Sequence, residues 1–408
     1  MGSQILPVAA PVAPALHGCG KPECSKAASA CTAVLQAGMM NGAFTRLDDG
    51  VFAFVANDVR GRSPESYDAG NTTGGETTCN DNLALVGVAQ CNHASSLQLV
   101  PNTSIYLPAA IPDRKCQDLV NFRSRGPEDV RLLPLGGRQA MLFFPDFVDY
   151  PAHGQNPPYG RHMFMRSIFL PTTGRLVLGT KMRLSPASAE VATLERLEKN
   201  WSPFEADGKL YVHQWLDSIN GSAVVLRVNR TSGRLDQRYE SSSLGLRAAA
   251  GLPAGTFLSG GTPAIRLNAT HFFAIGHSRS KRSYAMFGYV FSGSAPFRIL
   301  GATHEFTINH MAEGIDWDPP PSSWGRVQFP TGLGWSEGSE WLLLSWGFHD
   351  RDTMVSRLRL SELLSRVQRL IPVLAGNCSC TTTSGSQGCA PPPRPISWGP
   401  RPASVGFQ

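Results

Sequence analysis

An all-β chain is what the sequence predicts, a five-bladed β-propeller with short helices and irregular Cys-rich extensions at both ends. Three observations predict it. The 41 glycines and 31 prolines among 408 residues make about 18% of the chain, high for a helical protein and below the level of a disordered one. The apolar runs are of strand length and end in turn residues. A two-strand unit also recurs, beginning near residues 207, 268 and 338. That spacing suits four-stranded blades set around an axis, an arrangement that leaves only short, protected sheet edges. A β-sandwich with long loops is the alternative, and the repeat spacing disfavours it.

In chain order, residues 1–40 are rich in Ala, Pro and Cys and read as a loosely structured lead-in. Strand-like runs follow at 51–58, 130–135, 140–147, 175–182, 209–216, 223–230, 271–278, 285–292 and 340–347. Each is rich in β-branched or aromatic residues. Helix is expected only over Ala187–Lys199 and Met354–Leu374. The propeller is expected to span 41–372, with room for about five blades. Residues 373–408, with three cysteines and a Pro-rich run, read as an extended tail.

The net charge of +6 is spread along the chain, and 30 of the 37 basic residues are arginine. Arginine suits planar oxyanions, although a GC-rich genome produces the same bias. No basic block interleaves with aromatics, so nucleic acid is not an expected partner. No run of 18 apolar residues occurs, so no membrane span is expected. The nine cysteines crowd into the first 120 and last 35 residues, as disulfides tying down peripheral segments would. Cys19/Cys24 and Cys378/Cys380 lack the two-residue spacing of a zinc knuckle, and no metal or other cofactor is expected.

Glycosylation sequons stand at Asn71, Asn102, Asn220, Asn229, Asn268 and Asn377, where chance gives roughly two. With the cysteines they point to the secretory pathway lumen (Golgi or ER) or the cell exterior. The apolar stretch Ile5–Leu16 is broken by three prolines and has no basic flank, so a lost signal or anchor is the expectation.

Four patches could carry chemistry. In Glu128-Asp129-Val130-Arg131 a turn gives way to a strand. Neighbouring strand residues face opposite ways, so Glu128 and Asp129 cannot form an acid/base pair. Asp129 and Arg131 can share a face, where the guanidinium would hold the carboxylate ionised. A structural cap is the plainer reading. In Lys199-Asn200-Trp201-Ser202-Pro203-Phe204, Lys199 and Asn200 could meet hydroxyls or phosphate and Trp201 could carry a sugar ring. A helix end packed by Trp201 and Phe204 is the alternative. The third patch is Ser259-Gly260-Gly261-Thr262, followed by His277, Arg279 and Tyr284. Its glycines allow close backbone approach, and its polar side chains offer oxyanion contacts. A satisfied core histidine is equally compatible with His277. The last patch is Trp346-Gly347-Phe348-His349-Asp350, with Asp350 ending a strand.

Taken in order, these patches resemble the five-bladed propeller family of β-mannoside phosphorylases and hydrolases, with its β-mannosyltransferase relatives. The family's Glu-Asp-Pro-Arg is matched at 128–131, its Lys-Asn-Trp-X-Pro-Phe at Lys199–Phe204. Its Gly-rich segment and strand-ending His are matched at Gly260–Ile265 and His277, and its closing Tyr-Gly-X-X-Asp at 346–350. The likeness runs from about residue 100 to 370. Val130 replaces proline, Trp346 replaces tyrosine, and residues 41–100 show no match.

The resemblance implies one catalytic acid, Asp129, which protonates the departing glycosidic oxygen while phosphate or water attacks the opposite face with inversion. It implies substrate-binding roles for Glu128, Arg131, Lys199, Asn200, Trp201, Gly261, Thr262, His277, Arg279, Tyr284 and Asp350. The expected partners are an oligosaccharide or glycan, with phosphate or a nucleotide sugar as co-substrate. A catalytically inactive glycan-binding or scaffolding propeller is the alternative.

Overall fold

The computed structural model describes residues 32–34, 39–48, 51–58, 80–81, 83–91, 97–99, 105–107, 124–125, 127–149, 159–171, 175–192, 194, 198–218, 220–253, 255–280, 283–308, 327–336, 340–348 and 352–370. The Cys/Pro-rich tail lies outside them, as do Asp350, eight of the nine cysteines and the sequons at 71, 102 and 377.

The strands form five antiparallel-rich sheets of four to six strands, numbered here in chain order, whose central strands are buried on both faces. Sheet I holds Met39–Asp48, Val51–Asp58, Leu83–Cys91, Leu97–Leu99 and Ile105–Leu107. Sheet II holds Arg131–Gly136, Gln139–Asp149, Tyr159–Phe169, Val177–Leu178 and Met182–Arg183. Sheet III holds Ser185–Pro186, Ser202–Ala206, Lys209–Trp215, Ser222–Val228 and Arg234–Ser242. Sheet IV holds Phe257–Ser259, Ile265–Asn268, His271–Arg279, Tyr284–Ser292, Ile299–Thr303 and Val367–Arg369. Sheet V holds Gln328–Trp335, Trp341–Phe348 and Asp352–Arg359, and its outer strand is Thr32–Val34. A chain segment from the start thus completes the last sheet, and a parallel pair, Asn80–Asp81 with Ser124–Arg125, stands apart. Local chemistry sets the hairpins: Asp207 and Gly208 both have positive φ, as a two-residue turn between twisted strands requires.

The sheets pack in sequence. Leu132, Leu142 and Phe144 of sheet II meet Ala53 and Val55 of sheet I. Phe143 and Met165 meet Val212 and Leu226 of sheet III. Phe204 and Tyr211 meet Phe272 and Phe291 of sheet IV, and Phe273 and Met286 meet Leu344 and Trp346 of sheet V. Burial of such side chains contributes about 1.5–3 kcal/mol each. The seam between sheets V and I is different. There Gly42 N donates to Thr353 Oγ1 at 2.8 Å, Phe44 N donates to Ser345 Oγ at 3.0 Å, and Thr331 Oγ1 donates to Gly42 O.

The all-β, propeller-like arrangement expected from the sequence is present, but not as five equal four-stranded blades. Only one sheet has four strands, and among the described residues four seams are filled by apolar clusters. Four local expectations are also corrected. The run 175–182 yields only two-residue strands. Among the described residues of Ala187–Lys199 no helix forms; Ala187 N donates to Leu235 O at 2.8 Å and continues the pairing of Ser185–Pro186 with sheet III. Within Met354–Leu374 only Leu360–Ser365 is helical, since residues 352–359 pair along the whole of Trp341–Phe348. Thr32–Val34, inside the expected lead-in, is a strand. No helix among the described residues is long and apolar enough to cross a membrane.

Candidate active site

The first full strand of each sheet lies innermost, and these strands pack on one another. Their leading ends therefore bring together positions far apart in sequence. Asn41 comes from sheet I, Asp129 and Arg131 from sheet II, and Asn200 from the approach to sheet III. Gly261 leads into sheet IV, and Phe329 belongs to sheet V.

Asp129 occupies the turn before Arg131–Gly136 with φ of +47°, a conformation that Asp tolerates better than most residues. It is only 6% exposed. Asn41 Nδ2 donates to its Oδ1 at 2.8 Å, and Oδ2 has no partner among the described residues. Glu128 turns the other way to pair with Arg161, so the two carboxylates diverge in the turn ahead of the strand.

Arg131 is buried beside it, but it does not grip the carboxylate as the sequence suggested. Its Nη1 donates to the Asp129 backbone carbonyl, its Nε to Gly261 O, and its Nη2 reaches Asn200 Oδ1 at 3.5 Å. The guanidinium also lies 5.0 Å from the Phe329 ring centre. Burial pushes its pKa down to about 10, partly offset by the Asp129 charge, so it stays cationic at neutral pH. Arg131 ties sheets II, III and IV together, and its bonds face protein rather than substrate.

The same correction applies to three other expected substrate contacts. Trp201 is 1% exposed: its Nε1 donates to Glu198 Oε2 at 3.0 Å and its ring fills the seam between sheets II and III. A ring so enclosed cannot carry a sugar. Thr262 Oγ1 accepts from Ile275 N at 3.0 Å and is fully buried. A Cβ on Gly261 would sit 2.5 Å from Ile275 O and 2.7 Å from Pro330, so the glycine admits protein, not ligand. Asn200 is buried too; it heads Asn-X-Ser with Ser202, and burial keeps that sequon from a glycosylating enzyme.

His277 is buried with its ring 5.5 Å from Tyr284 and 4.8 Å from Phe329. Burial holds its pKa well below the usual histidine value, and the charges of Arg131 and Lys199 lower it further. The ring is therefore neutral at pH 7, not the imidazolium an anion cradle would use. It bonds to the Gly260 backbone, and Nδ1 has no partner. Lys199 and Arg279 are exposed cations nearby, Arg279 lying 5.3 Å from the Phe257 ring centre; Tyr284 is half-buried.

Asn41, Glu198 and Phe329 went unassigned in the sequence. Asn41 had no local signal, because its partner is 88 residues away. Glu198 stood beside the Lys-Asn-Trp patch and is a buried carboxylate accepting from Trp201 and from Gln214 Nε2 at 3.3 Å. Two Asp-X-Asp pairs also occur, Asp316/Asp318 and Asp350/Asp352, of which only Asp352 is described.

No protein-family model and no curated protein matches the sequence. Among solved structures, a glycosyl hydrolase from Bacteroides ovatus is 13% identical with a TM-score of 0.47, over 84% of this chain and 89% of that one. A β-1,2-mannobiose phosphorylase from Listeria innocua is 14% identical with a TM-score of 0.49, over 82% and 92%. A GDP-Man-dependent mannosyltransferase from Leishmania mexicana is 12% identical with a TM-score of 0.44, over 79% and 85%. The solved structures this chain is similar to thus include mannoside phosphorylases and a mannosyltransferase, at low sequence identity.

Proposed function

We propose that the chain is a carbohydrate-active enzyme that cleaves or transfers a β-mannoside-like unit with inversion, the larger sheets serving as propeller blades and Asp129 as the single acid. One observation carries the reading: a buried carboxylate held by one oxygen where the leading strands meet. The Asn41 amide needs a bare acceptor, so Oδ1 stays unprotonated and the transferable proton belongs on Oδ2. That proton passes to the glycosidic oxygen as its bond to the anomeric carbon breaks. Water, phosphate or an acceptor hydroxyl attacks from the opposite face, which leaves the configuration inverted. Lys199 and Arg279, the exposed cations of the site, suit an incoming phosphate or a nucleotide sugar.

The test is incubation with β-linked mannooligosaccharides with and without phosphate, and with GDP-mannose with and without Mn²⁺, for wild type and Asp129→Asn. Sugar phosphate, free sugar or an extended glycan identifies the reaction. Loss of turnover with intact sugar binding in the variant supports Asp129 as the acid; equal turnover refutes it. A second reading, a non-catalytic glycan-binding propeller, is favoured by the neutral His277 and the internally bonded Arg131. It requires binding without any product in every arm.

The proposed setting is the secretory lumen or the cell exterior. It is supported by the sequon excess, of which Asn220 and Asn229 are exposed. A mobility shift on deglycosylation of the native protein checks it.

A further inference from the structure

A cleft of about 710 Å³ opens between sheets III and IV, apart from the residues around Asp129. Its walls are the end of Lys209–Trp215, the strand Arg234–Ser242 of sheet III and the segment Phe257–Ser259. It shares a rim with the candidate active site. His213, just before the cleft residues, pairs with Ser202, where the innermost strand of sheet III begins. On the other wall, Ser259 pairs with His277 and runs directly into Gly260–Gly261.

The lining has the chemistry of a sugar site. Phe257 is 65% exposed, the most exposed of the large hydrophobic side chains among the described residues, and half-buried Trp215 stands on the opposite wall. An exposed aromatic ring is an apolar platform of the kind a pyranose face covers. Gln214 is 6% exposed; Glu198 holds its Nε2, and its Oε1 has no partner. That oxygen is itself shielded from solvent, so Gln214 shapes the wall of the cleft rather than offering it an open acceptor. Arg238 and Glu240, paired at 3.2 Å and partly exposed, offer a donor and an acceptor at the mouth. The charges nearly balance: Glu190, Asp217 and Glu240 face Arg238 and Arg247. Asp217 is further engaged by Ser243 at 2.6 Å and Arg247 at 2.7 Å. Such a balance suits a neutral polyhydroxylated ligand rather than phosphate or a cation. The volume lies within the roughly 300–1,000 Å³ usual for ligand sites.

We propose that this cleft is a second saccharide-binding site, holding sugar units of a neutral chain beyond those processed at Asp129. It rests on the reading of the chain as carbohydrate-active. Phe257 carries a ring face and the Arg238–Glu240 pair brackets the hydroxyls of the sugar stacked on it. A longer chain would then extend from the Asp129 site to Phe257 and bind more tightly than a short one.

The experiment is calorimetric titration of wild type, Phe257→Ala, Arg238→Ala and Asp129→Asn with β-linked mannobiose and mannotetraose. Phe257 and Arg238 are exposed enough for both cleft variants to fold, which circular dichroism verifies. Wild type and Asp129→Asn are expected to bind the tetraose at least about tenfold more tightly than the biose, about 1.4 kcal/mol. Phe257→Ala removes that advantage, and Arg238→Ala reduces it. The cleft is overturned if wild type shows no chain-length advantage, if both cleft variants keep it, or if neither sugar binds. The two readings fail separately. An inactive Asp129→Asn with a tetraose advantage surviving in Phe257→Ala leaves the catalytic reading and removes the cleft. Full turnover in Asp129→Asn with the advantage lost in Phe257→Ala does the reverse.

Discussion

Gly347 lies in sheet V, yet its lack of a side chain governs an acid in sheet II. A Cβ built there would stand 1.7 Å from Asn41 Oδ1 and 2.8 Å from Asn41 Cγ, so Asn41 must leave its place. Displacing it breaks the 2.8 Å bond to Asp129, and a hydrogen bond to a charged group is worth about 1.5–3 kcal/mol. Forcing a methyl into a filled site costs about 1–3 kcal/mol more. Gly347→Ala should therefore cost about 2.5–6 kcal/mol. For the roughly 240 described residues the unfolding entropy is about 0.5 kcal/mol per degree, so the melting temperature should fall by about 5–12 °C. Gly334→Ala is the matched control, because its Cβ would meet only Thr45 Oγ1 at 3.8 Å, an ordinary contact. Thermal melts followed by near-UV circular dichroism compare the two with wild type, and product assays follow the acid. The reasoning fails if Gly347→Ala melts within about a degree of Gly334→Ala and keeps its turnover.

Two further perturbations follow from buried polar groups. Trp201→Phe removes one donor from the buried Glu198 carboxylate and should cost about 1.5–3 kcal/mol in denaturant unfolding. It should leave saccharide affinity unchanged; a large loss of affinity at full stability would restore Trp201 as a sugar platform. His213 is buried among Phe204, Tyr289 and Phe291 with both ring nitrogens unpartnered, and burial pushes its pKa down to about 3. The unfolded chain takes up a proton near pH 6.5 that the folded one refuses until about pH 3. Stability from this group is therefore complete above pH 6.5 and drains away as pH falls through that window. Between pH 7.5 and 5.5 the loss is about 1.4 kcal/mol, roughly 3 °C. His213→Phe should remove that share of the acid sensitivity, and identical pH slopes for variant and wild type would refute it.

Local features were legible in the sequence and remote ones were not. The hairpin of His271–Arg279 with Tyr284–Ser292 was visible because its residues are β-branched and aromatic and its ends carry turn residues. Glu128 and Asp129 diverge as expected, but in the turn ahead of the strand and not by the alternation of a strand. By contrast, Asn41 bonds a residue 88 positions on, and Arg131 bonds Gly261, 130 positions on. No periodicity encodes such partners. Trp201 illustrates the other limit: its neighbours Lys199 and Asn200 suggested a ligand platform, whereas Glu198 and Gln214, also nearby, supply the polar partners that let an indole be buried. The helix expected over Ala187–Lys199 does not form among the described residues, whose start is paired along sheet III instead.

The backbone adds an independent argument for the site. Asn41, Asp129 and Asn200 have φ of +49°, +47° and +63°. Each stands at or just before the first full strand of a different sheet, a place where an ordinary L-residue would continue extended. Left-handed backbone at a non-glycine residue costs on the order of 1–3 kcal/mol, and Asn and Asp lie at the low end. These three residues also hold one another: Asn41 donates to Asp129, and Arg131 joins the Asp129 carbonyl to the Asn200 amide. A fold seeking only stability would place glycine there, as it does at Gly136, Gly208 and Gly233. Glycine would relieve the backbone but carry no amide or carboxylate to the point where the sheets meet. The strain is therefore coupled to the side chains, which is what a site built around one positioned carboxyl group requires.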